Sequence, residues 1–167
     1  MTKTFDLGKV EVSSTPRERF EEYLQTHNMR MTQQRREILE EVYQQHEHFD
    51  ADELYDSLQR SKRGERGVSR PTIYRTLKEL AGAGLLRKMT LGRRVVYEHD
   101  YGYPQHEHLY CEKCKKLIEF SSEELVRIRD AVAAEHHFRP TGHHLIIRGL
   151  CADCAKPKRR RRPLEAV

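Results

Sequence analysis

Four cysteines constrain this chain of 167 residues more than any other feature: Cys111, Cys114, Cys151 and Cys154 form two C-x2-C pairs with 36 residues between them. Two residues between cysteines let both thiolates of a turn face one ion. Two such turns complete a tetrahedron of soft ligands that suits zinc and leaves no coordination position open. A closed shell cannot activate water, so the spacing predicts a structural Zn2+ that pins the last strand of its unit to the first. Thioredoxin-like redox chemistry would need one CxxC to open a helix in a βαβ unit, and neither pair sits that way. Disulfides are the poorer reading in a reducing compartment. A cytoplasmic location is expected: the opening MTKTFDLGKV has no apolar signal core, and no stretch approaches the ~20 apolar residues of a bilayer span, so no membrane partner is expected.

Around the cysteines the spacing predicts a small α+β unit over 101–155. Strand-like runs at 108–111, 117–120 and 144–149 surround a helix from Ser121 to about His137, with a capping box of Ser121 and Glu124 and an apolar stripe of Leu125, Ile128 and Val132. Such a unit is too short to rely on a large core, which makes a metal staple or an oligomer interface the natural source of its stability.

Residues 1–100 read as four helices and a hairpin. Phe20 and Leu24 follow Pro16; Ile38, Leu39 and Val42 follow Thr32; Ala51, Leu54, Tyr55 and Leu58 lie behind a capping box of Asp50 and Glu53; Ile73, Leu77 and Leu80 follow Ser69 and Pro71. Leu85, Leu86 and Met89, then Val95, Val96 and Tyr97, flank a turn at Gly92. Three or four short helices followed by a hairpin is a winged-helix pattern. The charge layout agrees: 60–94 holds eleven Lys/Arg against two Asp/Glu, whereas 37–56 holds eight acids and no Lys or Arg. A basic stretch covering the fourth helix and the hairpin favours a phosphate backbone. The tail 156–167, KPKRRRRPLEAV, carries the whole net charge of +5 and is expected to be disordered, with a weak attraction to nucleic acid that does not depend on sequence.

A second donor set is nitrogen and oxygen. His106 and His108 alternate on the strand leading to Cys111, so both imidazoles point to one face. Glu119 lies on the neighbouring run, Glu98 ends the hairpin, and His48 sits in the turn between two helices. Three imidazoles and two carboxylates make a borderline site for Fe(II), Mn(II), Co(II) or Zn(II), and the lack of thiolate argues against Cu(I).

The segments RMTQQRREIL, HFDADELY, PTIYRTLKELAGAGLL, VVYE, HEHLYCEKC with KKLIEF after it, and CADC resemble the ferric uptake regulator (Fur) superfamily of metal-responsive transcriptional repressors, from about residue 30 to 154. The resemblance implies an α+β architecture: an N-terminal winged-helix DNA-binding domain over 1–100, then a dimerisation domain with structural zinc over 101–155. It implies structural zinc at the four cysteines and a regulatory site of His48, Glu98, His106, His108 and Glu119. It further implies that Tyr74 and Arg75 read DNA from the fourth helix, that Arg30 enters the minor groove and that Arg35 contacts the backbone. A third site of the superfamily, usually two His with an Asp and a Glu, is incomplete: Gln105 and Val126 stand where ligands are expected, leaving Glu107 and His143. The expectation is therefore a non-enzymatic, Fe(II)-activated repressor, with Mn(II) or Zn(II) as substitutes, acting on a duplex operator as a homodimer or a tetramer of paired dimers, with no organic substrate. Peroxide-sensing members resemble this pattern but tend to carry Asp where Glu98 and Glu119 stand. A metallohydrolase using the His/Glu set is the alternative from another class, and it lacks an evident base beyond the ligands.

Overall fold

The computed structural model describes residues 12–45, 48–61 and 67–156. The tail beyond Lys156 and most of the basic loop at 60–66 lie outside them. The chain divides into two compact units, with the boundary between Pro104 and Gln105.

The first unit contains α1 (Pro16–Thr26), α2 (Gln33–Gln44), α3 (Ala51–Arg60), α4 (Arg70–Gly82) and an antiparallel hairpin of β1 (Leu86–Leu91) and β2 (Arg94–His99). Its helices start where side-chain acceptors satisfy the open backbone N–H groups of a first turn. Thr32 caps α2, Asp50 forms a capping box with Glu53 at α3, and Ser69 caps α4. A capping box of Thr15 and Glu18 also opens α1. Phe20, Leu24, Ile38, Val42, Leu54, Ile73, Leu77 and Leu80 are at most 1% exposed and fuse the four helices into one core. Burial of each contributes about 1.5–3 kcal/mol against conformational entropy. Helix α1 passes so close to the end of α4 that a Cβ at Gly82 would fall 2.4 Å from the Tyr23 hydroxyl oxygen. The hairpin turns at Gly92 with φ of 67°, a conformation a side chain would oppose. Just before α3, Phe49 exchanges backbone hydrogen bonds with Tyr97 of β2 at 3.1 and 2.8 Å. That bridge lays the segment entering α3 along the hairpin.

The second unit is a sheet of order β4-β3-β5, built from β3 (Glu107–Cys111), β4 (Leu117–Phe120) and β5 (Ile146–Gly149), with α5 (Glu123–Glu135) and a short α6 (Ala152–Ala155). Strand β4 is antiparallel to β3, but β5 runs parallel to it, which requires the long crossover that carries α5. Three details depart from the sequence reading. The cap of α5 is Ser122, one residue later than expected, and no reciprocal box forms because Leu125 then occupies the third helical position; the Ser122 hydroxyl instead donates to Glu124. Strand β5 begins at Ile146, after His144. The stripe of α5 is not a buried face: Ile128 and Val132 are exposed, and of that helix only Ala133 is buried.

Among the described residues, no helix is long and apolar enough to cross a membrane.

Candidate metal centres and nucleic-acid interface

The four cysteines converge where β3 ends and β5 has just ended. Cys111 is the last residue of β3, in register with Gly149, and the N–H of Glu112 donates to the Gly149 carbonyl at 2.8 Å. Lys115, with φ of 65°, closes the tight turn that returns Cys114 toward Cys111. All four sulfurs lie within 4.8 Å of one another, and Cys114 Sγ is 3.7 Å from Cys151 Sγ. Ligands about 2.3 Å from a tetrahedral zinc would stand about 3.8 Å apart. The backbone N–H of Cys151 donates to Cys111 Sγ at 3.3 Å. That bond, with further N–H groups of the Cys114 and Lys113 turn, holds the Cys111 thiol down to about 6. Desolvation, then proton sharing with Cys151, Cys114 and Cys111, pushes the Cys154 thiol up to about 12. A site that is part thiolate and part thiol suits a cation that displaces the remaining protons.

The nitrogen and oxygen donors fall into two sets, one on each unit. In the first unit the Phe49–Tyr97 bridge brings the preceding residue of one strand to the following residue of the other. His48 Nε2 is thereby 2.9 Å from Glu98 Oε2, with Glu98 buried. Neighbouring ligands about 2.1 Å from an octahedral ion lie about 3.0 Å apart, so this pair is already spaced as adjacent ligands. In the second unit His108 pairs in register with Glu119 across β3 and β4. His106 and His108 have ring centroids 4.9 Å apart, and His106 Nε2 is 4.0 Å from Glu119 Oε1. Both histidines are buried, which selects for donors with a defined task over a wet strand face.

The incomplete third set, Glu107 and His143, is joined by hydrogen bonds within the second unit. Glu107 Oε1 accepts from His143 Nε2 at 2.5 Å, the Arg129 guanidinium is 3.4 Å from His143 Nδ1, and the Gln105 amide donates to the His143 carbonyl. Both ring nitrogens of His143 are engaged, and the cation beside it is a side chain of the protein.

On α4 Tyr74 is 52% exposed, and Arg75 beside it is exposed as well. Arg30 is exposed in the turn before α2, but Arg35 is committed within the fold, with its side chain paired to Glu79 of α4. The acidic α3 terminus takes up part of the basic stretch: Arg94 pairs with Asp50 at 2.7 Å and also with Glu53, and Arg70 with Asp52. Arg75, Lys78, Lys88 and Arg93 remain exposed. Sequence reading overlooked Glu79, Arg87 and Arg129, which stand against Arg35, Glu98 and His143, and Asp100, which pairs with Arg87. Their partners lie 11 to 44 positions away or across strands, where no local pattern announces them.

Residues 26–148 match the model of the ferric uptake regulator family. The ferric uptake regulation protein of Neisseria gonorrhoeae is 35% identical over 140 residues, covering 81% of this chain and 94% of that one. The peroxide-responsive repressor PerR of Staphylococcus saprophyticus is 30% identical over 131 residues, covering 78% and 86%. The solved structure of the ferric uptake regulator of Francisella tularensis with iron superposes with a TM-score of 0.65 at 25% identity, over 77% of this chain and 96% of that one. With its helices and wing in the first unit and its four-sulfur cluster in the second, the chain belongs to the ferric uptake regulator family.

Proposed function

We propose that this chain is a homodimeric, Fe(II)-activated transcriptional repressor that binds duplex operators through α4 and holds structural zinc at Cys111, Cys114, Cys151 and Cys154. The observation that carries the regulatory part is the division of the donors. His48 and Glu98 belong to the unit with the DNA-reading helix, whereas His106, His108 and Glu119 belong to the unit with the zinc cluster. Two donors or three leave a six-coordinate ion short, and the two sets together nearly fill its shell. A bound ion supplies the positive charge that both sets share. His48 and Glu98 on one side, and His106, His108 and Glu119 on the other, then favour whichever arrangement of the units lets them act together. The differential affinity shifts the population toward that DNA-binding arrangement. Tyr74 presents a flat apolar face suited to thymine methyls, and Arg75 a fork suited to guanine or phosphate. The exposed Arg75, Lys78, Lys88 and Arg93 supply the phosphate attraction.

The test is selection from a randomised duplex pool by the zinc-loaded protein under anaerobic conditions, with and without added Fe(II). Wild type enriches a sequence only with Fe(II). His108→Ala retains zinc and its oligomeric state but enriches none. Equal enrichment by both proteins, or enrichment by wild type without Fe(II), would refute the proposal.

A further inference from the structure

We propose that Arg87 sets the metal concentration at which this protein responds, by serving as the counter-ion of Glu98 when no divalent ion is bound. The proposal rests on the reading of Glu98 as a regulatory ligand. Arg87 of β1 stands directly opposite Glu98 of β2 in the hairpin register, so the two side chains share one face of the wing. The two oxygens of Glu98 have different partners: Oε2 faces His48 Nε2 at 2.9 Å, and Oε1 faces the Arg87 guanidinium at 3.5 Å. A second carboxylate, Asp100, takes another N–H of the same guanidinium.

This arrangement has a cost for metal binding. A divalent ion at the His48 and Glu98 pair shares the Glu98 carboxylate with a fixed positive charge on its far side, and that charge repels the ion and competes for the oxygens. Glu98 is 4% exposed, so water screens the contest weakly. Asp100 works the other way: by holding part of the guanidinium it reduces the positive charge that Glu98 feels. Arg87 therefore raises the threshold and Asp100 lowers it. A guanidinium keeps its charge at every physiological pH, so the threshold is fixed by the fold.

Direct titration of the full-length, zinc-loaded protein with Mn(II), followed by the spin resonance of free Mn(II) and without DNA, tests this. Arg87→Gln should tighten Mn(II) binding about three- to tenfold, the range of a partly screened charge pair, and Asp100→Asn should weaken it by a similar factor. Equal or weaker binding by Arg87→Gln would overturn the proposal, because Arg87 would then only orient Glu98. A shift of both variants in the same direction would overturn it too, as a general loss of packing. Should Arg87→Gln fail to fold, Asp100→Asn decides alone, with unchanged or tighter binding as the contrary result. Glu98→Gln separates the two levels: if it binds Mn(II) as wild type does, the reading of Glu98 as a ligand fails and this inference with it. If Glu98→Gln loses binding while Arg87→Gln leaves it unchanged, only the role of Arg87 is refuted.

Discussion

The Arg35 guanidinium donates to both oxygens of Glu79, at 2.8 and 2.7 Å, and to the carbonyl of Arg30 at 2.7 Å. The Glu79 hydrogen bond raises its pKa further, so the group is charged throughout the accessible range. Family resemblance implies a DNA-backbone contact for Arg35, and in the fold its guanidinium ties the Arg30 carbonyl to Glu79 of α4. Glu79→Gln would leave a half-buried guanidinium without its carboxylate and should destabilise the first unit by about 2 kcal/mol, read from urea unfolding. Arg35→Gln should lower stability similarly while leaving the salt dependence of non-specific DNA binding unchanged. A direct phosphate contact would instead reduce that slope by about one. The pairing of Arg35 with Glu79 was not legible in the sequence: the partner lies 44 residues away, and pairing at that distance is a product of the core that brings α2 against α4.

At the level of elements, the sequence carried most of the first unit because its signals are local. Thr32, Asp50 and Ser69 each satisfy N–H groups within three residues, and Gly92 turns a two-strand hairpin. The same logic slipped by one residue at Ser121 and Ser122, where two adjacent hydroxyls compete for one cap and only the packing decides. It failed differently on α5. Periodicity correctly marks Ile128 and Val132 as one stripe, but in the single chain they are 60% and 52% exposed, with Phe138 at 69% just beyond the helix. An amphipathic stripe states that a face is to be covered without stating by what. In the homodimer proposed above, a second copy covers it, so Val132→Glu should give a monomer by sedimentation while zinc content is retained. A dimer of unchanged affinity would exclude this stripe from the interface.

At the scale of the whole molecule, the two units differ in what closes them. The first closes on an apolar core shared by its four helices, whereas the second closes its sheet beside four sulfurs. Because Cys154 is pushed up to about 12 and Cys111 held near 6, zinc binding at neutral pH must expel the Cys154 proton, while Cys111 is already ionised. Zinc affinity should therefore fall as pH falls, most steeply once Cys111 also protonates below about 6, with the folded second unit lost alongside the metal. Zinc retained after dialysis across pH 5 to 8, with circular dichroism on the same samples, checks this. The parallel pairing of β3 with β5 has a consequence in time as well. Cys111 and Cys151 are 40 residues apart, and nothing between them rewards the chain for closing that loop until β5 lies beside β3. The β1–β2 hairpin, by contrast, closes over a short separation, with Leu91 paired to Arg94. With the structural zinc proposed above, closing the longer loop depends on the ion as well as on the chain, so the supply of zinc sets how soon a newly made molecule completes its second unit.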